Sequence, residues 1–315
     1  HWNVRKEDNK VTLQIENLYR GKTGFDYRTN IEYTVAADGS ILVNSTIIPS
    51  TKGVIIPRIG YRMELPEGFE RMRWYGRGPL ENYVDRKDAT YVGVYDELVS
   101  DQWVNYVRAQ EMGNREDLRW ISITNPDGIG FVFIAGDKMS ASALHATAQD
   151  MVDPANHRRL LHKYEVPMRK ETVLCLDANQ RPLGNASCGP GPMQKYELRS
   201  QPTVFSFIIL PLERSYSTEE LIKKARVQMP VCMPVLIERD NNGYLNLKTN
   251  TPGATVHYSL NGGEEKIYTE PFEFISGGHV EAYAVSEQLG KSARTSAEFP
   301  IYVDRSLWKI VSVSS

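Results

Sequence analysis

Short runs of alternating apolar and polar residues, divided by turns rich in Gly, Asn and Asp, restrict the fold of this sequence more than any other feature. KVTLQIENLY and FDYRTNIEYTVAADGSILVNSTIIPS alternate around ADGS, where Gly39 can take a positive φ, and DLRWISITNPDGIGFVFIAGD does the same around NPDG. Period-two patterning puts successive side chains on opposite faces of a strand, and such turns fold one strand back on the next. A chain built this way makes an antiparallel sandwich or barrel. A βα barrel would need strands alternating with helices, and that rhythm is absent. The expected class is all-β.

Near residue 216 the texture changes. YSTEELIKKARVQMP offers Ser217 or Thr218 as an N-cap, acidic residues in the first turn, Lys and Arg towards its end and Pro230 as a stop. A short helix is expected there, closing a domain over 1–214 and forming a linker over 215–230. Residues 231–302 return to short strands divided by NNG, TPG, NGG and SGG, and about seven strands in roughly 70 residues fit an immunoglobulin-like sandwich. The remainder, 303–315, is too short to fold alone and reads as the start of a further, truncated domain. The opening HWNVRKEDNKVTLQ enters a strand pattern directly, as an excised piece of a larger protein would.

Composition removes several functions. A formal net charge of -2 and a pI near 6.4 give no reason to expect nucleic acid or an anionic membrane surface as partner. No apolar run approaches the ~20 residues of a membrane helix, and no signal-peptide pattern precedes Trp2. Cys175, Cys188 and Cys232 are too far apart for a CxxC zinc site or a disulfide framework, and neither metal nor cofactor is expected.

Four groups of residues carry candidate chemistry. In WYGRGPLENYVDR, Glu81 and Asp85 are two nearby carboxylates, the residue type that glycosidases place about 5 to 10 Å apart across a sugar. Gly76, Gly78 and Pro79 read as a loop, in which these carboxylates instead pair with Arg77, Arg86 or backbone amides. His145, His157 and His162 are candidates for an acid in epimerase chemistry, or for hydrogen bonding within loops and strands. Arg115, Asp117, Arg119 and Trp120 suit a sugar platform, since aromatic faces stack on pyranose rings, and equally suit a salt-bridged strand that packs Trp120 into the core. PLGNASCGPGPMQKYEL is a Gly- and Pro-dense loop with few side chains, chiefly Asn185, Ser187 and Cys188.

PRIGYRMELPEGFERMRWYGRGPLENYVDRKDATYVGVY, YVRAQEMGNREDLRWISITN and SALHATAQDMVDPANHRRLLHKYE, taken in this order, resemble the C-terminal small-chain domain of glycoside hydrolase family 2 β-galactosidases. The resemblance covers residues 1 to about 214 and implies a supersandwich of the galactose-mutarotase-like type. Residues 231–302 more loosely resemble Ig-like accessory modules, and LWKIVSVSS the first strand of a discoidin-like domain. In that family both catalytic glutamates sit on a TIM barrel of about 250 residues, none of which is present here. The PTDND-like segment that opens the family's domain is also missing, placing the start a little inside it. The resemblance thus implies a non-catalytic fragment whose partners are the parent's catalytic barrel and a galactoside-containing carbohydrate. Tyr75, Asn82 and Tyr83 would face the barrel, Asn185, Ser187 and Cys188 would approach the substrate, and Arg115, Asp117 and Trp120 would lie near it. Accessory modules of this kind suggest a periplasmic or exported parent. An autonomous carbohydrate-binding protein and an aldose-1-epimerase-like enzyme are the alternatives.

Overall fold

The computed structural model describes residues 1–7, 9–184, 189–228 and 232–303. All but Val303 of the expected start of a further domain, 303–315, therefore lies outside the described residues, as do Asn185, Ser187, Cys188 and Pro230. The chain divides into two compact units, His1–Gln201 with Phe205–Pro230, and Pro202–Val204 with Val231–Ser315.

The first unit opens with β1 (Trp2–Glu7), β2 (Lys10–Tyr19), β3 (Tyr27–Ala36), β4 (Ile41–Pro49), β5 (Arg58–Leu65), β6 (Arg71–Gly78) and β7 (Tyr91–Leu98). It continues through β8 (Arg115–Thr124), β9 (Ile129–Leu144), β10 (Val152–Asp153), β11 (Asn156–Leu160), β12 (Thr172–Gln180) and β13 (Thr203–Glu213) to one helix, α1 (Thr218–Gln228). Eleven of the strands form one antiparallel sheet in the order β1-β2-β3-β4-β13-β9-β8-β6-β7, with β12 joining β9 to β5. The class is all-β.

The hairpins form where the turn chemistry puts them. Between β3 and β4 the Asp38 carboxylate accepts from the Ser40 amide (2.9 Å) and hydroxyl (2.6 Å) while Gly39 sits at φ 80. Between β8 and β9, Asn125 Oδ1 accepts from the Ile129 amide (2.9 Å), with Gly128 at φ 80. Strand β9 is long enough to serve two neighbourhoods: its first half pairs with β13, its end, from Ser140 to Leu144, pairs with β12, and β8 runs along its other edge as far as Ala141. Trp74, Leu118, Ile121, Phe133, Leu174 and Phe207 fill the main core. Smaller Met112, Leu144, Met151 and Leu161 anchor the long connections around it.

The expected loop at GRG is corrected. Gly76 and Gly78 belong to β6 and pair with Gly93 and Tyr91, and the irregular segment begins only at Pro79. The glycines are there for close packing: a Cβ at Gly76 would meet Leu118 Cα at 2.9 Å, and one at Gly78 would meet the Tyr95 ring at 2.8 Å. Helix α1 starts with a reciprocal cap, in which Ser217 Oγ accepts from the Glu220 amide (3.2 Å) and Glu220 Oε2 from the Ser217 amide (2.7 Å).

The second unit holds β14 (Leu236–Arg239), β15 (Tyr244–Lys248), β16 (Thr255–Leu260), β17 (Lys266–Ile267), β18 (Phe272–Glu273), β19 (Gly278–Ser286), β20 (Gly290–Lys291) and β21 (Thr295–Phe299). One sheet is β14-β15-β18; the other runs β17-β16-β19-β20, with β21 also on β19. Ile237, Leu245 and Leu247 from the first sheet pack on Val256, Val280, Ala282 and Ala284 from the second.

Candidate functional site

The residues singled out in the sequence converge where β6 ends and β8 begins. From Pro79 to Thr90 the chain is irregular, and its backbone groups are satisfied by backbone bonds of its own, by Asn114 and by the Arg77 side chain of β6. Asn82 and Asn114, both fully buried, knit the two together. The Asn82 amide donates to Asn114 O (2.8 Å), Asn114 Nδ2 donates to Asn82 O (2.9 Å), and Asn82 Oδ1 accepts from the Glu116 amide (2.8 Å).

Glu81 and Asp85 are structural here. Glu81 Oε1 accepts from Arg86 Nη2 (2.7 Å) and from the Tyr106 hydroxyl, while its Oε2 accepts from the Gly113 amide (2.8 Å). A general acid or base needs an oxygen that substrate can reach, and three donors already occupy this carboxylate. Asp85 Oδ2 accepts from the Gly184 amide at 3.2 Å, fixing the base of the Gly- and Pro-rich loop. Gly184 has φ 60, and a Cβ there would lie 2.6 Å from Pro192 N, so the loop's two ends close on each other at a neck only glycine permits. Asn185, Ser187 and Cys188 are outside the described residues.

Two expectations about outward-facing residues are corrected. Asn82 and Tyr83 are 0% and 1% exposed, so neither side chain is presented to another domain; burial pushes the Tyr83 hydroxyl well above its ordinary pKa, and its ring lies under Arg86. Tyr75 is half-buried beneath the Arg119 guanidinium, 5.4 Å from its centroid. The sugar platform also dissolves. Trp120 is 2% exposed and in the core, and Arg115, also buried, donates to Gln102 Oε1 (2.6 Å) and stacks on Trp74.

Asp117 alone of that group opens onto a cleft. It occupies φ 56, a conformation few non-glycine residues adopt, where β8 bulges against β9. Its carboxylate is gripped by Arg77 Nε (2.6 Å) and Lys87 Nζ (3.1 Å). Burial alone would raise this carboxyl, but those two hydrogen bonds outweigh it and hold it below the usual range. Next to it burial wins: the Glu116 carboxyl is raised despite Lys87 Nζ at 3.3 Å. The cleft measures about 460 Å³ and is also lined by Lys138, Ser140 and Gln180; Ser140 Oγ and Gln180 Oε1 are buried without a hydrogen-bond partner.

The histidines do not gather. His145 Nε2 lies 2.7 Å from Glu70, His162 stacks on Tyr164 with Nδ1 against Val107 O, and His157 is an exposed residue of β11. None lines a cleft with a carboxylate partner, as epimerase chemistry would require. Sequence reasoning missed a second constellation, Arg58, Glu111, Cys175 and Asp177, which lines a larger cleft of about 930 Å³. Its one signal was Asp177 itself, a lone charge in the apolar strand TVLCLDANQ.

A family described as the beta galactosidase small chain matches residues 1–209. A β-galactosidase from Arthrobacter sp. (strain B7) is 32% identical over 211 residues, covering 61% of this chain and 20% of that protein. One from Priestia megaterium is 31% identical over 154 residues, 49% of this chain and 14% of the relative. One from Kluyveromyces lactis is 31% identical over 151 residues, 48% and 14%. The chain thus spans at most a fifth of the length of these three relatives. Among solved structures, an aldose epimerase homologue from C. elegans aligns over 67% of this chain and 68% of that one, at 10% identity and a TM-score of 0.32, a likeness too slight to argue from.

Proposed function

The chain belongs to the β-galactosidase small-chain family, and from that premise we propose that it is the non-catalytic C-terminal part of a bacterial β-galactosidase of glycoside hydrolase family 2. The parent hydrolyses terminal β-D-galactosides with retention, using two glutamates on a catalytic barrel that is this domain's partner. The small-chain domain completes the rim of the active site and contributes to carbohydrate binding, and the loop from Leu183 to Pro192 tunes substrate selection without doing the chemistry. Residues 231–302 act as an Ig-like spacer.

The observation that carries this reading is the use made of the rim carboxylates. Glu81 is saturated by three donors, and Asp85 fastens the base of the Gly- and Pro-rich loop. Such groups position a loop; they do not move protons. The purified chain is therefore expected to release no nitrophenol from nitrophenyl β-D-galactopyranoside above a buffer blank. Turnover that follows the protein through a final purification step overturns the reading.

A further inference from the structure

The larger cleft lies on the sheet formed by β5, β12 and the end of β9. Asp177 projects into it from β12 and is 1% exposed. Its Oδ2 is 3.2 Å from Arg58 Nη2 but accepts no hydrogen bond. Arg58 Nη2 is also 3.4 Å from Glu111 Oε1, and its Nη1 donates to Cys175 Sγ (3.2 Å). The β5–β12 pairing is tight beside this carboxyl: a Cβ at Gly60, opposite Asp177, would fall 2.2 Å from Leu176 O and 2.3 Å from Asp177 Oδ1. At the mouth, Tyr19 and Tyr27 stack with centroids 4.7 Å apart and an interplanar angle of 14°. A second cavity, of about 450 Å³, shares these tyrosines and Arg58.

A buried acceptor without a donor is costly, and the cost is removed by a ligand that supplies the donor. The charges select its class. Two arginines, Arg58 and Arg62, and two carboxyls, Asp177 and Glu111, line the cleft, with Arg58 ion-paired to both carboxyls, so neither an anion nor a cation gains on balance. A wholly apolar ligand would strip water from these groups and return nothing. What remains is a neutral molecule with many hydroxyls and one apolar face that can lie on an aromatic ring. The volume is within the ~300–1,000 Å³ of small-molecule sites.

We propose that this cleft binds a neutral pyranose sugar, its hydroxyls bonded to Asp177, Arg58 and Glu111 and its apolar face laid on the tyrosine pair. Burial, only partly opposed by Arg58, pushes the Asp177 carboxyl up to about 7, so near neutrality it is present both as a donor and as an acceptor for a hydroxyl. The site rests on the carbohydrate-binding part of the proposed function and is independent of the hydrolysis.

The test titrates the whole 315-residue chain with methyl β-D-galactopyranoside and methyl β-D-glucopyranoside by saturation-transfer NMR and calorimetry. Saturable binding of at least one sugar is expected, weakened about tenfold by Tyr19→Ala, the scale of one aromatic contact. Asp177→Asn and Glu111→Gln should weaken it tenfold or more, the scale of hydrogen bonds to charged groups. Tyr19 is 46% exposed and Glu111 half-buried, so these two variants keep the test meaningful if Asp177→Asn unfolds. Binding of neither sugar, or binding that all folded variants leave unchanged, overturns the proposal. Preference for the glucoside supports the site and counts instead against the galactoside reading of the parent. Failure of the hydrolysis reading shows as turnover in the chromogenic assay and leaves this titration untouched.

Discussion

Asp177 faces a guanidinium, yet its pKa moves the wrong way for a simple ion pair. Removal from water disfavours the carboxylate more than Arg58 favours it, and the group is pushed from 3.8 up to about 7. The sign of the consequence follows from proton counts. Between pH 3.8 and about 7 the folded state holds this proton and the unfolded state has released it, so stability falls as pH rises through that window and is level on either side. The full span corresponds to a contribution on the order of 4 kcal/mol. Asp177→Asn removes the slope. In urea titrations from pH 4 to pH 8 the wild type should lose stability relative to this variant, most of it by pH 7; parallel curves would show that Asp177 ionises normally. Asp150 does not blur the result. Its hydrogen bond from Arg169 holds it at about 2, and its effect, which sets in as pH falls towards 3.8, is common to wild type and variant and cancels in the comparison.

At the scale of elements, the loop from Pro79 to Thr90 is held by side chains as well as by a few backbone bonds. Truncating Glu81 to Ala strands the Gly113 amide, the Tyr106 hydroxyl and one bond of Arg86. The expected cost is about 2–3 kcal/mol, the scale of leaving a buried donor unpaired, and Glu81→Gln should recover part of it. Urea denaturation measures both; a loss under 0.5 kcal/mol for Glu81→Ala, the scatter of an ordinary surface change, would contradict the saturated geometry. How much of this was legible depended on distance along the chain. ADGS, NPDG and the Ser217 cap could be read because their donors and acceptors lie within a few residues of one another. The fate of Trp120 could not. Strand β8 is covered on both faces and bulges at Asp117, so strict alternation says nothing about which side a ring takes. The Asp177 cluster was equally hidden, because Arg58 and Glu111 reach it only through strand pairing and a long connection.

For the molecule as a whole, the first unit is built around Trp74, Phe133 and Phe207, and the second around Val235, Leu245 and Val280. Each has its own core, the condition for folding independently. Limited proteolysis is expected to cut between about residues 213 and 234 and to leave two resistant pieces that melt separately. Resistance throughout that stretch, together with one cooperative melt, would mean that the units depend on each other. Within the first unit, the bond from the Gly184 amide to Asp85 ties two loops that the sequence keeps far apart. A longer or bent Gly- and Pro-rich loop is therefore expected to need a matching GPLENYVDR turn to hold its base, and a loop transplanted from a relative without that turn to lose its anchor.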